Sequence, residues 1–218
     1  MFDILENKKI IDISYTVIPG ESPDRPFAIQ KALLADRAFR YDILKTHTHV
    51  GTHVEVGAHF YDGGKTITDY PLDTFYGPAI LFPVKEMIVS AEHCEKEIGS
   101  IIESGDIVVI RNDSGVKMTK ADMYEGKDDH VPRMTTEAAK WLANKQVKML
   151  VLDFIRFGKD IEEGREFHDI LMSKDVVFVE FVDNLDEISK QRFYLMSLPY
   201  KVEGLDSSFC RAIVIEDK

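Results

Sequence analysis

The chain has 218 residues and a mass of 24.9 kDa, a length that one hydrophobic core can serve. With 44% hydrophobic and 30% charged residues, its composition excludes a disordered, collagenous or low-complexity chain. Twenty-seven basic against 38 acidic residues leave a net charge of −11 and a pI near 5.1, a balance that argues against nucleic-acid or anionic-membrane partners.

Met1 to Lys9 carries four charges and no apolar stretch, so no signal peptide is expected. Ile11 to Val17 alternates apolar and polar residues and stops at Pro19-Gly20, the pattern of a strand entering a turn. Tyr41 to His59 is rich in Thr, Val and His and is expected to be extended. Gly77 to Val84 is a short apolar strand. Ser90 is the expected N-cap of a helix reaching about Ile102, ended by Ser104-Gly105. Ile107 to Ile110 is a fully apolar strand, and Lys117 to Pro132 is a charged surface loop. Thr135 or Thr136 caps a helix to about Asn144, and Met149 to Leu152 is again apolar throughout. Strand, helix and strand in that order predict a crossover with parallel pairing. A second such unit follows, with a helix near Glu163 to Met172 and a strand over Val176 to Val182. Phe193 to Leu198 and Ala212 to Ile215 complete the strands. The predicted fold is α/β: a single domain over 1–218, with a mixed β-sheet flanked by helices.

Cys94 and Cys210 show neither disulfide nor zinc spacing, which fits reduced thiols and a cytoplasmic location. No apolar run approaches the ~20 residues of a membrane helix.

Four of the seven histidines, His47, His49, His53 and His59, fall within thirteen residues. With Glu55 they occupy odd positions, which share one face of a strand, while Val50, Val54, Val56 and Phe60 occupy the other. A straight strand holds His49 and His53 about 13 Å apart, and shared ligation needs both within ~2 Å of one ion. The chain must therefore bend between them, and Gly51 permits it. Exposed strand histidines without a ligand are the alternative. Glu180 is the only charge in Val176-Val177-Phe178-Val179-Glu180-Phe181-Val182, so a cation partner is expected, either a metal ion or a basic side chain. Of the remaining histidines, His47 is expected beside the ligands or at the surface. His93 is expected in solvent and His130 in the charged loop. Trp141 is expected in the core.

The segment His49-x-Gly51-Thr52-His53-x-Glu55-x-Gly57-x-His59 resembles the HxGTHxDxPxH signature of the metal-dependent cyclase superfamily, which includes bacterial kynurenine formamidases (arylformamidases) and isatin hydrolases. Asp12-Ile13-Ser14, Pro19-Gly20, Asp69 to Pro78 and Gly204 to Ala212 are similar to further elements of that family. Three positions depart from it: Glu55 stands for Asp, Gly57 for Pro, and Arg156 for the Ser of a Gly-x-Asp-x-x-Ser element of which Asp153 survives.

The resemblance implies a swivelling β/β/α-like fold and a metal-dependent hydrolase of amide or cyclic-amide bonds, arylformamidase-like, acting on a small molecule. It implies His49, His53 and Glu55 as metal ligands, His59 as general acid/base, and His168 and Glu180 as the later ligands of a two-metal centre. The implied cofactor is a divalent metal, zinc or else manganese, with one or two ions per chain. The implied assembly is a homo-oligomer, dimer or tetramer. A non-catalytic metal-binding sensor or scaffold of the same fold is the alternative function.

Overall fold

The computed structural model describes residues 6–22, 25–116, 130–153 and 155–218, so residues 117–129 of the expected loop lie outside the described residues. The apolar strands of the sequence form the centre of one sheet. Strands β1 (Lys8–Asp12), β2 (Ala28–Leu33), β3 (Phe39–Lys45), β4 (His53–Glu55) and β5 (Tyr76–Val84) come first. They are followed by β6 (Ile88–Val89), β7 (Ile107–Asn112), β8 (Arg133–Met134), β9 (Met149–Leu152) and β10 (Arg156–Phe157). The last three are β11 (Val177–Glu180), β12 (Arg192–Pro199) and β13 (Ser207–Asp217).

The main sheet has eight strands in the order β1-β13-β12-β5-β7-β9-β11-β4. The run β5-β7-β9-β11 is parallel and the remaining pairings are antiparallel. Strand β4 pairs with β11 on one side and with Ser207–Phe209 of β13 on the other, which closes the sheet on itself. The parallel strands are buried on both faces, which is why they read as continuous apolar runs. Ala79, Leu81, Ile107, Val109, Met149, Val151, Val177 and Val179 pack inside the closed sheet. Their alternates Ile80, Phe82, Val108, Ile110, Leu150, Leu152 and Phe178 pack outward against helices.

Those helices are α1 (Ala91–Ile98), α2 (Thr136–Asn144) and α3 (Ile161–Met172). The Thr135 hydroxyl accepts from Ala138 N–H and the Asp160 carboxylate from Glu163 N–H, so each N-terminus has its cap. Helix α1 begins after Ser90 as expected but ends four residues short of Ile102. His93, expected in solvent, is half-buried, and its Nδ1 accepts from Ser90 N–H in a capping box. Trp141 packs against the helix-side core while its Nε1–H reaches Glu95 at the surface.

Tyr41 to His59 is not one extended segment. It comprises the end of β3, a turn, the three-residue β4 and a 3₁₀ turn over Gly57–His59. In the hairpin of β2 and β3, β2 has no counterpart among the expected elements, and only residues 41–45 of β3 fall in the segment expected to be extended. The hairpin's pairs Ile29–Ile43, Lys31–Tyr41 and Leu33–Phe39 set five large apolar side chains on one face, all exposed.

Leu150 lies fully buried on the helix side of the central strand β9. Leu150→Ala is expected to lower the unfolding free energy by about 2–5 kcal/mol. A denaturant titration checks this as a lower midpoint at constant slope. A loss below about 1 kcal/mol would show that the helix layer does not pack as described.

Candidate metal centre and active site

Strand β4 carries the centre of the site. Val54 faces the interior of the closed sheet, so its neighbours His53 and Glu55 face the opposite way. Register places Glu180 opposite His53 and Phe178 opposite Glu55 on β11. Cross-strand partners in direct register stand about 4.5–5.5 Å apart, so the two glutamates reach one another's surroundings.

His49 joins them through the bend at Gly51, whose φ is +65°. A β-carbon there would also lie 2.3 Å from Val17 Cγ2, so both backbone and space require glycine. The bend brings His49 Nδ1 to 3.2 Å from His53 Nε2. Thr52 locks this corner: it is buried, accepts from Tyr15 N–H at 2.7 Å and donates to the Phe181 carbonyl at 2.6 Å. Phe181 itself takes the left-handed conformation at φ +55°, which costs a non-glycine residue about 1–2 kcal/mol.

The hydrogen bonds assign the tautomers. His53 donates Nδ1–H to the Gly51 carbonyl at 2.9 Å, leaving its Nε2 lone pair toward the site. His49 Nε2 lies 3.0 Å from Asp206 Oδ2, while its Nδ1 is 3.3 Å from Glu55 Oε2. His59 Nδ1 is 2.9 Å from the same Asp206 oxygen, and its Nε2 is 3.7 Å from Glu55 Oε2. Glu180 Oε2 lies 4.0 Å from His53 Nε2. Two donor sets result among the described residues, His49–Glu55–His59 and His53–Glu55–Glu180, each with its ligand atoms within 4.8 Å of one another. Glu55 belongs to both.

His168 belongs to neither set. It projects from α3 into the same cavity, with its ring among Phe60, Phe157 and Phe178. Its Nδ1–H is spent on the Gly164 carbonyl at 2.7 Å, so Nε2 is the nitrogen left to bind. His47 lines the cavity as well, and its Nδ1 accepts from His49 N–H. Arg156, one of the departures from the family pattern, donates to the Lys159 carbonyl and is not among the residues lining the cavity. At another, Gly57, an added β-carbon would lie in ordinary contact with Tyr61 and Tyr70, 3.7 Å from each.

The electrostatics favour a cation. Burial pushes the His53 pKa down to about 4, so this imidazole is neutral and free to ligate. Burial also works against charge on His49, but hydrogen bonds to Glu55 and Asp206 prevail and hold its pKa above the usual value. Burial and the Glu55 charge push Glu180 up to about 8. Burial raises Glu55 too, yet the His49 hydrogen bond and the charges of His59 and His168 leave it below the ordinary range. Glu55 Oε1 is buried and has no hydrogen-bond partner. An orphaned carboxylate oxygen is costly, and at the other oxygen, Oε2, the nitrogens of His49 and His59 stand at 3.3 and 3.7 Å, where lone pairs repel unless a proton or a metal ion lies between. The donor set thus fits a divalent metal with nitrogen and oxygen ligands.

Asp206 was not among the predicted site residues. Its signal was present in the Gly204-x-Asp206 element, but only tertiary contact reveals that one carboxylate oxygen serves both His49 and His59. These two hydrogen bonds overcome the effect of burial and hold Asp206 well below the usual carboxylate range. The cavity measures about 540 Å³ and is lined by Glu55, Glu180, Phe60, Arg25 and four of the histidines.

Comparison with known proteins gives a consistent picture. The Cyclase family model, described as "Putative cyclase", matches residues 11–159. Cyclase-like protein 1 of Arabidopsis thaliana is 28% identical, over 98% of this chain and 88% of that protein. A kynurenine formamidase of Erythrobacter litoralis is 26% identical, over 96% of this chain and 94% of that enzyme. Among solved structures, isatin hydrolase A of Labrenzia aggregata, bound to benzyl benzoate, superposes with a TM-score of 0.78 at 19% identity, covering 98% and 95% of the two chains. The Ralstonia solanacearum isatin hydrolase A gives 0.76 at 18%, covering 96% and 92%. These structural likenesses establish the fold.

Gly51→Ala is expected to lower stability by at least about 1 kcal/mol, the left-handed backbone cost, and to reduce the metal content of protein reconstituted with zinc. Adding Val17→Ala removes the clash and should restore part of the metal. Full metal content in Gly51→Ala alone would show that the bend does not set the ligand geometry.

Proposed function

The chain belongs to the Cyclase family, and from that premise and the site geometry we propose that it is a metal-dependent hydrolase of amide or cyclic-amide bonds in small molecules. The observation that carries the reading is Glu55, a buried carboxylate common to two donor sets with one oxygen unsatisfied. The sequence relatives include kynurenine formamidases, and the structural neighbours include isatin hydrolases. His49, His53, Glu55 and Glu180 would hold the metal, with His168 Nε2 as a further ligand. The chemistry that a divalent ion held there would supply is polarisation of a carbonyl and acidification of water to near neutral pH.

The chain's own residues supply proton transfer and orientation. Asp206 holds His59 through Nδ1, which leaves Nε2 as the proton-transfer atom facing Glu55. His59 Nε2 takes a proton from the attacking water and returns it to the leaving nitrogen. Asp206 keeps this tautomer in place, as a carboxylate does for a general-base histidine. The nucleophile is water. Burial pushes the thiols of both Cys94 and Cys210 up to about 12, far from an activated thiolate. Phe60 gives the cavity an aromatic wall suited to an aryl or fused-ring amide. The Asp206–His59 pair favours this reading over a metal-binding sensor, which needs no oriented base.

The metal we propose is zinc, with manganese as the second candidate for the same nitrogen and oxygen donors. Both cysteines are unpaired, which suits the reducing cytoplasm. No helix among the described residues is long and apolar enough to cross a membrane. We also propose that the protein assembles as a homo-oligomer through the β2–β3 hairpin. Its exposed apolar face combines with four basic residues against two acidic ones, a net +2 in a chain of −11, which complements an acidic second copy. Light scattering on the purified protein should give a dimer or tetramer, and Phe39→Ser with Tyr41→Ser should give a monomer. A monomeric unmodified protein would refute the assembly.

The function is tested on metal-loaded protein with N-formyl arylamines, isatin-like lactams and simple esters. His59→Ala is expected to lose ~10²–10⁴ in turnover with metal content retained. His53→Ala should lose metal and activity together. If His59→Ala strips the metal as fully, His59 is a ligand and the proton-transfer role is wrong. No turnover of any member of the panel would favour the scaffold reading.

A further inference from the structure

Arg25 is the only lysine or arginine among the residues described as lining the cavity. Neighbouring groups hold it in position. Its backbone N–H donates to Ser22 Oγ at 3.2 Å, and its Nη1–H donates to the His49 carbonyl at 2.5 Å. The guanidinium lies over the Phe181 ring, 4.6 Å from the centroid, and that ring is 5.6 Å from the ring of His53. The same Phe181 is held in its left-handed conformation beside the Thr52 corner. The guanidinium therefore keeps a fixed orientation at the wall of the cavity.

The simplest role for such a cation would be to neutralise a cavity carboxylate. Among the described residues, no carboxylate lies within 4.0 Å of Arg25. Arg25 is thus not the partner of Glu180. A guanidinium carries five N–H donors in a planar fork, and one of them is used by the His49 carbonyl. The others are available to a ligand, and the fork matches a carboxylate in two parallel hydrogen bonds. Arg25 is anchored on the His49 carbonyl and the Phe181 ring, whereas Asp206 holds the proton-transfer residue His59. Arg25 therefore suits a part of the substrate that does not react.

We propose that Arg25 is a specificity-determining residue that receives a carboxylate of the substrate, so that the preferred substrates are small amides carrying a carboxylate beside an aromatic ring. This rests on the hydrolase reading above. Phe60 and a cavity of about 540 Å³ leave room for such an aromatic acid.

The test compares N-formylanthranilate with formanilide, which share the scissile amide and differ in the carboxylate. Metal-loaded wild type, Arg25→Gln and Arg25→Lys are assayed, with metal content measured for each and anthranilate binding followed by calorimetry. Wild type should favour the acid by roughly tenfold to a hundredfold in kcat/KM, expressed mainly in KM, as expected for a charged hydrogen-bonded pair. In Arg25→Gln that preference and the anthranilate affinity should fall by about the same factor. Arg25→Lys, which keeps the charge and loses the fork, should be intermediate, and it carries the test if the Gln variant does not fold. Three results would overturn the proposal: no preference for the acid in wild type, an equal loss on both substrates, or loss of metal in both variants. The last two would make Arg25 a brace for the His49 turn. If wild type hydrolyses neither compound, the hydrolase reading fails for this substrate type and calorimetry decides separately. Weaker anthranilate binding in Arg25→Gln would support the carboxylate site, and equal binding would refute it.

Discussion

The three residues of β4 have to satisfy two demands at once. They close the main sheet between β11 and β13, which buries Val54 in the core. By strand alternation that same closure turns His53 and Glu55 to the opposite face, where Glu55 lines the cavity and His53 is fully buried. The register cannot slip by one residue without sending the imidazole and carboxylate inward and the valine outward. Folding of the barrel and assembly of the site are therefore one event. The bend at Gly51, the Thr52 hydrogen bonds and the strained Phe181 all serve to hold this short strand at its ends.

The site concentrates groups that oppose one another without a cation. Two glutamates and several imidazole lone pairs converge in a partly dehydrated cavity, where each unpaired polar atom is costly. The rest of the fold offsets this locally. Asp206 takes one nitrogen of each of His49 and His59, and backbone carbonyls take one nitrogen of each of His53 and His168. Each ring is thereby oriented by one nitrogen so that the other faces the cavity, the arrangement by which outer partners fix metal-binding imidazoles. Replacement of the family Asp by Glu55 lengthens the shared acid by one methylene, and the unsatisfied Oε1 lies at its end.

Much of this was legible along the chain. The four parallel strands are continuous apolar runs, and the caps Ser90 and Thr135 sit where helices begin, so local chemistry located them, whereas the Asp160 cap, two residues before the start of the expected third helix, came only with the structure. The hairpin of β2 and β3 was missed although Phe39 to Ile43 alternates apolar and polar residues, because Lys31 interrupts the apolar face of its partner β2 and leaves one half of the pair without the pattern. The Tyr41 to His59 segment misled because β-branched composition signals extension without signalling where a strand stops.

The sequence by itself determined the histidine cluster, the bend that Gly51 must make, the solitary acid Glu180 and the family resemblance, since spacing and residue type suffice for those. Only the tertiary structure decided that Glu180 stands opposite His53, that His168 reaches the cavity from α3, and that Asp206 and Arg25 join the site from distant segments. The physical reason is that periodicity reports which face a side chain occupies, whereas the partner across that face is set by strand register and barrel closure, which link residues more than a hundred positions apart.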